Sequence, residues 1–163
     1  MEKYFSYINS PIGILSLTAT DSKLISIEFE TENLKLEENN NSFLDLCKKE
    51  LEEYFEGKRK IFSLDVELNG TEFQKSVWLE LIKIPFGSTI NYLELSKKIS
   101  DEKAIRAVAN ANSKNVLPII VPCHRVIGSN GNLVGYAGGL WRKKWLIEHE
   151  QNFSQTVKQL KFF

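Results

Sequence analysis

The sequence predicts an α+β protein with a sheet-plus-helix domain over residues 1–68 and a mainly helical domain over residues 69–163. Short runs rich in β-forming residues occur in the first 30 positions, whereas apolar residues recur at helical spacing after position 72. Asn69-Gly70 between the two regions is a good turn or linker. A chain of 163 residues is long enough for one domain or for two small ones.

The first domain is predicted to be a small antiparallel sheet followed by a helix. Residues 4–7, 14–18 and 24–29 are predicted strands, and 61–66 alternates like one more strand. Between them, the polar stretch 31–41 predicts a loop, and Ser42 is the expected N-cap of a helix that ends at Gly57. Cys47 lies in this helix. Because the first half has no histidine and no second cysteine, Cys47 is interpreted as a buried apolar side chain rather than a metal ligand.

The second domain is predicted to contain a helix-turn-helix. After a helix over 73–84, residues 92–99 form a short helix, Ser100-Asp101 turns, and 102–112 forms a second helix. The second helix carries four alanines, which give it a slim surface. That surface would suit either close packing against another helix or entry into a DNA minor groove only about 6 Å wide. A short extended segment over 117–121 and a final helix over 140–151 complete the domain.

The charges are divided unevenly between the two domains, although the chain is neutral as a whole. Residues 1–68 contain 8 Lys and Arg against 14 Asp and Glu, a net charge of −6; residues 69–163 contain 13 against 7, a net charge of +6. This asymmetry indicates a basic second half that can meet a polyanion, although simple segregation of surface charge would give the same count.

The same sequence excludes several classes of protein. The N-terminus has neither the basic region nor the apolar region of a secretory signal, so none is expected, and no apolar run approaches the roughly 20 residues that a membrane span needs. Two cysteines are too few for a disulfide framework. We therefore expect a cytoplasmic protein with free thiols, no membrane association, no metal and no cofactor.

Cys123 stands between a proline and a histidine in the stretch IIVPCHRVIGSNGN, residues 119–132. A free thiol with a pKa near 8.5 is only a few per cent ionised at neutral pH, and a histidine that accepts its proton raises the thiolate fraction. Adjacent residues of an extended chain point to opposite sides, so His124 would act through a water molecule or a sharp turn. A buried thiol beside a structural histidine remains the alternative.

The final predicted helix supplies a candidate partner for His124. Glu150 follows Leu146 and Ile147 at i+4 and i+3 spacing, which turns its carboxylate inward, whereas Glu148 and His149 are expected to be solvated. A carboxylate on the far ring nitrogen of His124 would fix the tautomer. Two glycine-rich loops, 128–132 and 135–139, could line a pocket nearby.

One region of the sequence consists of Pro122-Cys123-His124-Arg125-Val126, preceded by Arg106-Ala107-Val108 and Asn115 and followed by residues 135–140. This region resembles the active-site region of the O6-alkylguanine-DNA alkyltransferases, also called methylated-DNA-protein-cysteine methyltransferases. The resemblance runs from about Phe73 to Glu150. Over residues 1–68 the resemblance is only one of architecture. The N-terminal domain of that family is a small ribonuclease-H-like sheet with a helix, which agrees with the predicted elements.

The resemblance implies a role for each matching residue. Cys123 matches the nucleophile that takes an alkyl group from O6 of guanine, and His124 the residue that deprotonates it through a water. Glu150 matches the carboxylate behind that histidine, Asn115 the amide that orients the cysteine loop, and Tyr92 the proton donor to the departing guanine.

The remaining matches imply contacts with DNA and with the extruded base. Arg106 resembles the arginine that takes the place of the flipped nucleotide, and Val126 the residue whose backbone carbonyl reads the exocyclic amine. The other expected DNA contacts are Ala107, Asn110 and Ser129, and the expected loop over the base is Tyr136, Ala137 and Gly138.

Taken together, the resemblance implies single-turnover repair of O6-alkylguanine in double-stranded DNA, bound through the minor groove by a monomer, and leaves open O4-alkylthymine as a second substrate. If the source is prokaryotic, the protein is expected at the nucleoid. Two other classes of function compete with repair: a DNA-binding sensor that transfers nothing, and a cysteine hydrolase with Cys123, His124 and Glu150 as a triad.

Overall fold

The computed structural model describes residues 2–30 and 37–160, with the backbone alone for 155–160. It divides into two compact units, Met1–Leu68 and Asn69–Phe163. Within the described ranges, no helix is both long and apolar enough to cross a lipid bilayer. Much of the loop predicted over 31–41, namely residues 31–36, lies outside the described residues.

The first unit is a three-stranded antiparallel sheet with one helix packed on it. Strands β1 (Tyr4–Ser10), β2 (Gly13–Ala19) and β3 (Leu24–Phe29) lie in chain order, as the sequence predicts. Helix α1 (Ser42–Phe55) covers β1 and β2. Burial of each large aliphatic side chain contributes roughly 1.5–3 kcal/mol to this core, which includes Ile8, Leu15, Leu17, Leu24, Leu44 and Leu51.

Two predictions for the first unit are wrong. The N-cap of α1 is Asn41 rather than Ser42, because the Asn41 side chain accepts the backbone N–H of Leu44 at 2.8 Å. Residues 61–66 form no strand beyond a single bridge between Val66 and Leu24. The backbone N–H of Ser63 donates instead to the Glu50 carboxylate at 2.9 Å, so a side chain takes the bond that a neighbouring strand would have made.

The second unit contains the predicted helix-turn-helix. Helix α2 (Glu72–Ile82) is followed by strand β4 (Ile90–Asn91), helix α3 (Tyr92–Ile99) and helix α4 (Ile105–Ser113). The turn before α4 is a 3₁₀ helix, Glu102–Ala104, capped by Asp101. Strand β5 (Val126–Ile127) pairs in parallel with β4, and helix α5 (Leu140–Leu160) continues beyond the predicted end at residue 151.

The segment 117–121 is a turn, and the prediction of an extended segment there is wrong. The backbone N–H of Val121 donates to the Leu117 carbonyl at 2.9 Å, and Ile119 adopts a φ of 76°. That value is strained for a β-branched residue. Asn115 holds the turn from both sides, because its Nδ2 donates to the Val121 carbonyl at 2.8 Å while its Oδ1 accepts the Leu117 N–H at 3.0 Å.

Candidate active site

Cys123 follows directly from the turn that Asn115 holds. Its backbone N–H donates to the Val121 carbonyl at 2.8 Å, and it begins a 3₁₀ helix, Cys123–Arg125. The residue is 6% exposed. Since three successive residues of a 3₁₀ helix point in different directions, His124 and Arg125 can face α5 while Cys123 faces elsewhere.

Glu150 on α5 binds both residues that follow the cysteine. Its Oε2 lies 2.6 Å from His124 Nε2 and accepts from Arg125 Nη2 at 3.0 Å, while its Oε1 accepts from Arg125 Nε at 2.8 Å and from the Gly87 backbone N–H at 3.2 Å. Arg125 Nη1 also donates to the Ile84 carbonyl at 2.6 Å. The spacing of α5 predicts the contact of Glu150 with His124, but it gives no sign of Arg125.

These contacts fix the protonation of the buried pair. Burial alone would raise the pKa of Glu150, but the charges and hydrogen bonds of His124 and Arg125 outweigh it and hold that pKa well below its usual range. Burial lowers the pKa of His124, and Glu150 offsets this only in part. His124 is therefore neutral at pH 7, and its Nε2–H donates to the ionised Glu150.

The other ring nitrogen of His124 is consequently a lone-pair acceptor. Nδ1 is fully buried and has no hydrogen-bond partner among the atoms of the described residues. A buried acceptor of this kind normally costs about 1–3 kcal/mol when it is left unsatisfied. Because His124 directly follows Cys123, Nδ1 is available to accept a hydrogen bond from a group that enters the site, such as a bridging water.

Lys143 is a buried cation whose charge acts on the Cys123 thiol, and sequence reasoning missed it. It is fully buried, and its Nζ donates to the carbonyls of Val134 at 2.9 Å and Gly135 at 3.3 Å. Burial lowers the pKa of Lys143 to about 8, with a Cys123 thiolate acting in the opposite direction. The only available sequence signal was helical spacing, since Lys143 lies seven residues before Glu150 and shares its face of α5.

The pKa of Cys123 reflects opposing influences. Burial raises the pKa of the thiol above its usual value, and a hydrogen bond with Asn115 and the charge of Lys143 offset this only in part. The thiol is therefore not ionised by its surroundings alone.

A cavity of about 650 Å³ lies beside α3 and α4. This volume is typical of a ligand site. Both glycine-rich loops contribute to its wall, as predicted. Cys123 does not itself line the cavity, but its thiolate would raise the pKa of both Tyr92 and Tyr136, which burial already raises. Both tyrosines line the cavity, together with Arg106, Asn112, Ser129 and Ala137.

The structure divides the expected DNA contacts between the cavity rim and the outer face of α4. Arg106 and Ser129 are exposed and line the cavity, whereas Ala107 and Asn110 are exposed on α4 without lining it. Of the expected base-pocket residues, Val126 is buried in β5 and Gly138 is buried, with its carbonyl accepting from Arg142 at 2.7 Å.

One prediction on α5 is wrong, and one is confirmed. His149 is not solvated but 7% exposed, because its ring stacks on Trp145 at 4.7 Å and meets Phe153 edge-on at 4.9 Å. Glu148 is exposed, as expected.

Within the described residues, no group of three or more His, Cys, Asp or Glu side chains is arranged to hold a metal ion.

Comparison with known proteins assigns each unit to a domain family. Residues 3–68 match the 6-O-methylguanine DNA methyltransferase ribonuclease-like domain, and residues 72–152 match the DNA binding domain of the same proteins. The chain therefore belongs to the 6-O-methylguanine DNA methyltransferase family.

Individual relatives agree with this assignment over nearly the whole chain. A methylated-DNA--protein-cysteine methyltransferase of Methanosarcina acetivorans is 43% identical over 152 residues, covering 90% of this chain and 97% of the relative. The constitutive enzyme of Bacillus subtilis is 38% identical, covering 95% and 99%. Among solved structures, the Mycobacterium tuberculosis OGT in complex with DNA has a TM-score of 0.83 at 38% identity, covering 91% of this chain and 93% of that one.

Proposed function

We propose that the protein repairs DNA by moving an alkyl group from O6 of guanine to the sulfur of Cys123. The observation that carries this proposal is the buried, neutral His124, which Glu150 holds at 2.6 Å and which directly follows Cys123. Its Nδ1 has no partner among the described residues, and a large cavity is lined by Tyr92 and Tyr136, whose pKa values a Cys123 thiolate would raise. Such an arrangement suits a nucleophile that must be ionised only when a substrate has filled the site.

The bonds and protons of the reaction balance with groups of this chain. His124 accepts the thiol proton, the thiolate attacks the alkyl carbon, and an S–C bond forms as the C–O6 bond breaks. The guanine leaves with a negative charge and needs a proton, for which Tyr92 is the proposed donor. The product is a thioether. We propose that nothing in the site hydrolyses it, so that each molecule acts once and no cofactor takes part.

The proposed substrate is duplex DNA. The protein would bind it as a monomer, with the second unit in contact with the minor groove. The exposed face of α4, with Ala107 and Asn110, is slim enough for a widened minor groove, and the basic excess of residues 69–163 provides contacts with phosphate. Arg106 on the cavity rim would occupy the place of the nucleotide that enters the cavity. Flipping a damaged base costs only a few kcal/mol.

The other residues would hold the flipped base and the loop around it. We propose that the Val126 carbonyl reads the exocyclic amine, that Tyr136, Ala137 and Gly138 cover the base, and that Ser129 contacts the DNA at the cavity rim. Asn115 would keep the cysteine loop in place through its two hydrogen bonds. A cytoplasmic location, at the nucleoid in a prokaryote, follows from the substrate as a further part of the proposal.

Mass spectrometry tests the proposal. After incubation with a duplex that carries one O6-methylguanine, the tryptic peptide that contains Cys123 should gain one CH₂, with no second round of reaction. Binding without a change in mass would favour a DNA-binding sensor. Multiple turnover on an ester or amide would favour a cysteine hydrolase. A duplex with O4-methylthymine, assayed in parallel, would decide whether thymine lesions are also substrates.

A further inference from the structure

Asn112 on the inner side of α4 contacts the hydroxyl group of Tyr92. Its Nδ2 donates to Tyr92 Oη at 3.2 Å, and both residues line the cavity. Asn112 is 5% exposed, and its Oδ1 has no hydrogen-bond partner among the atoms of the described residues. The side chain is thus held with its donor on the tyrosine and its acceptor unused.

The direction of this hydrogen bond decides what Tyr92 can do. An amide NH₂ group only donates, so the tyrosine oxygen must accept. The hydroxyl hydrogen of Tyr92 is then not consumed by Asn112 and remains available to an acceptor in the cavity. If the amide were turned round, its oxygen would take that hydrogen, and Tyr92 would have nothing to give.

The surroundings of Tyr92 are consistent with a donor. Burial raises the pKa of Tyr92, and a thiolate at Cys123 raises it further, so the hydroxyl keeps its hydrogen at neutral pH. The hydrogen bond from Asn112 lowers that pKa, because it stabilises the phenolate. Asn112 therefore both directs the hydrogen and makes its loss easier.

We infer that Asn112 is a positioning residue, which aims the hydroxyl hydrogen of Tyr92 at the guanine that leaves during alkyl transfer. This inference rests on the proposed function. As the C–O6 bond breaks, Tyr92 gives its proton to the departing guanine, and the phenolate left behind recovers a proton from solvent. Proton donation by a placed side chain contributes about 10²–10⁴-fold to a rate.

Two substitutions of similar size separate a donor from an acceptor at position 112. Asn112→Asp offers Tyr92 only acceptor oxygens, which capture the hydroxyl hydrogen, whereas Asn112→Leu offers nothing and leaves the hydroxyl free to rotate. Single-turnover transfer from a duplex with O6-methylguanine should fall about 10²-fold in Asn112→Asp and no more than about tenfold in Asn112→Leu. Thermal unfolding of each variant confirms that it is folded.

A second background controls for the new negative charge near the thiol. In Tyr92→Phe there is no hydroxyl hydrogen to capture, so adding Asn112→Asp should slow transfer little beyond Tyr92→Phe alone. The pH dependence of the reaction of Cys123 with iodoacetamide measures any direct effect of the charge on the thiolate. A guanine made less basic by an electron-withdrawing C8 substituent should be the substrate least affected by Asn112→Asp.

The inference is overturned if Asn112→Asp transfers as fast as Asn112→Leu, if its loss persists undiminished without the tyrosine hydroxyl, or if Tyr92→Phe reacts at the rate of the unsubstituted protein. None of these results would touch the alkyl transfer itself, which is read from the mass of the Cys123 peptide in the unsubstituted protein. Absence of that mass gain would refute the proposed function instead.

Discussion

The two cysteines of this chain are both buried, and burial raises the pKa of each thiol, yet the charged groups around them differ. Cys47 lies on α1, and burial together with the charge of Glu50 raises its pKa to about 12. Glu150, by contrast, is paired with His124 and Arg125. The charge that affects the Cys123 thiol is that of Lys143, which lowers its pKa.

Burial therefore does not identify a reactive cysteine in this protein. Glu50 accepts from the backbone and the hydroxyl of Ser63 and lies 3.5 Å from Arg59, so it holds a loop in place and adds negative potential to Cys47. A carboxylate can promote ionisation of a thiol when a neutral histidine lies between them. The carboxylate stabilises the protonated imidazole and so makes the histidine a stronger base.

The largest expected effect separates the two thiols directly. Cys123→Ser should abolish alkyl transfer while lesion binding persists, because a hydroxyl with a far higher pKa than a thiol is a poor nucleophile here. Cys47→Ser should leave transfer unchanged. The two variants are compared by peptide mass after reaction and by gel shift with the modified duplex; residual transfer in Cys123→Ser would contradict the assignment.

The two buried glutamates provide the next comparison. Glu150→Gln should slow transfer on the order of 10²-fold, since His124 loses the carboxylate that stabilises its protonated form. Glu50→Gln should leave the rate constant unchanged. Glu150→Gln disturbs a buried ion pair at a cost of about 3–5 kcal/mol, and Glu50→Gln disturbs a pair whose Arg59 is partly exposed, so thermal unfolding of both variants controls for lost stability. Similar rate losses in the two would show that stability alone was measured.

A smaller effect is expected from the buried lysine. Below its pKa of about 8, Lys143 is charged and stabilises the Cys123 thiolate. Lys143→Met should therefore raise the pKa of Cys123 and slow its reaction with iodoacetamide about tenfold at pH 7. The two rates should converge above pH 8, where Lys143 loses its charge. Lys144→Met, at the neighbouring exposed position, is the matched control, and an equal shift in that variant would refute the assignment.

An effect of similar size, restricted to duplex substrate, is expected at the cavity rim. Arg106→Ala should weaken capture of duplex substrate by about tenfold, because the flipped nucleotide is no longer replaced in the stack. Reaction with a free O6-alkylguanine base should be unaffected. Lys58→Ala, an exposed cation of the acidic first unit, should change neither. Equal losses of Arg106→Ala on duplex and free base would rule out the stack-filling role.

Local pattern accounts for much of the fold. Runs rich in β-forming residues predict β1 to β3, helical spacing predicts α3 and α4, and the inward turn of Glu150 follows from Leu146 and Ile147. Where the local pattern predicted the wrong backbone conformation, hydrogen bonds from side chains distant in sequence or outside the segment determined it. Glu50 replaced the partner strand of residues 61–66, and Asn115 closed residues 117–121 into a turn despite their β-branched composition.

The site was predictable only where its chemistry is local in sequence. Cys123 and His124 are adjacent, and helical spacing directs Glu150 inward. Arg125 and Lys143 were missed because charged side chains are by default expected in solvent, and nothing local shows that a carboxylate or two carbonyls will meet them inside the protein. Asn112 was missed for a similar reason, since its partner Tyr92 lies 20 residues earlier.

The most direct measurement is a titration of a fixed amount of protein with increasing duplex that carries one O6-methylguanine. Single-turnover transfer to Cys123 predicts that repaired lesions rise to one per chain and stop, with the methyl group on Cys123 and none on Cys47. Repair that continues beyond one lesion per chain, or a methyl group found on any other residue, would contradict it.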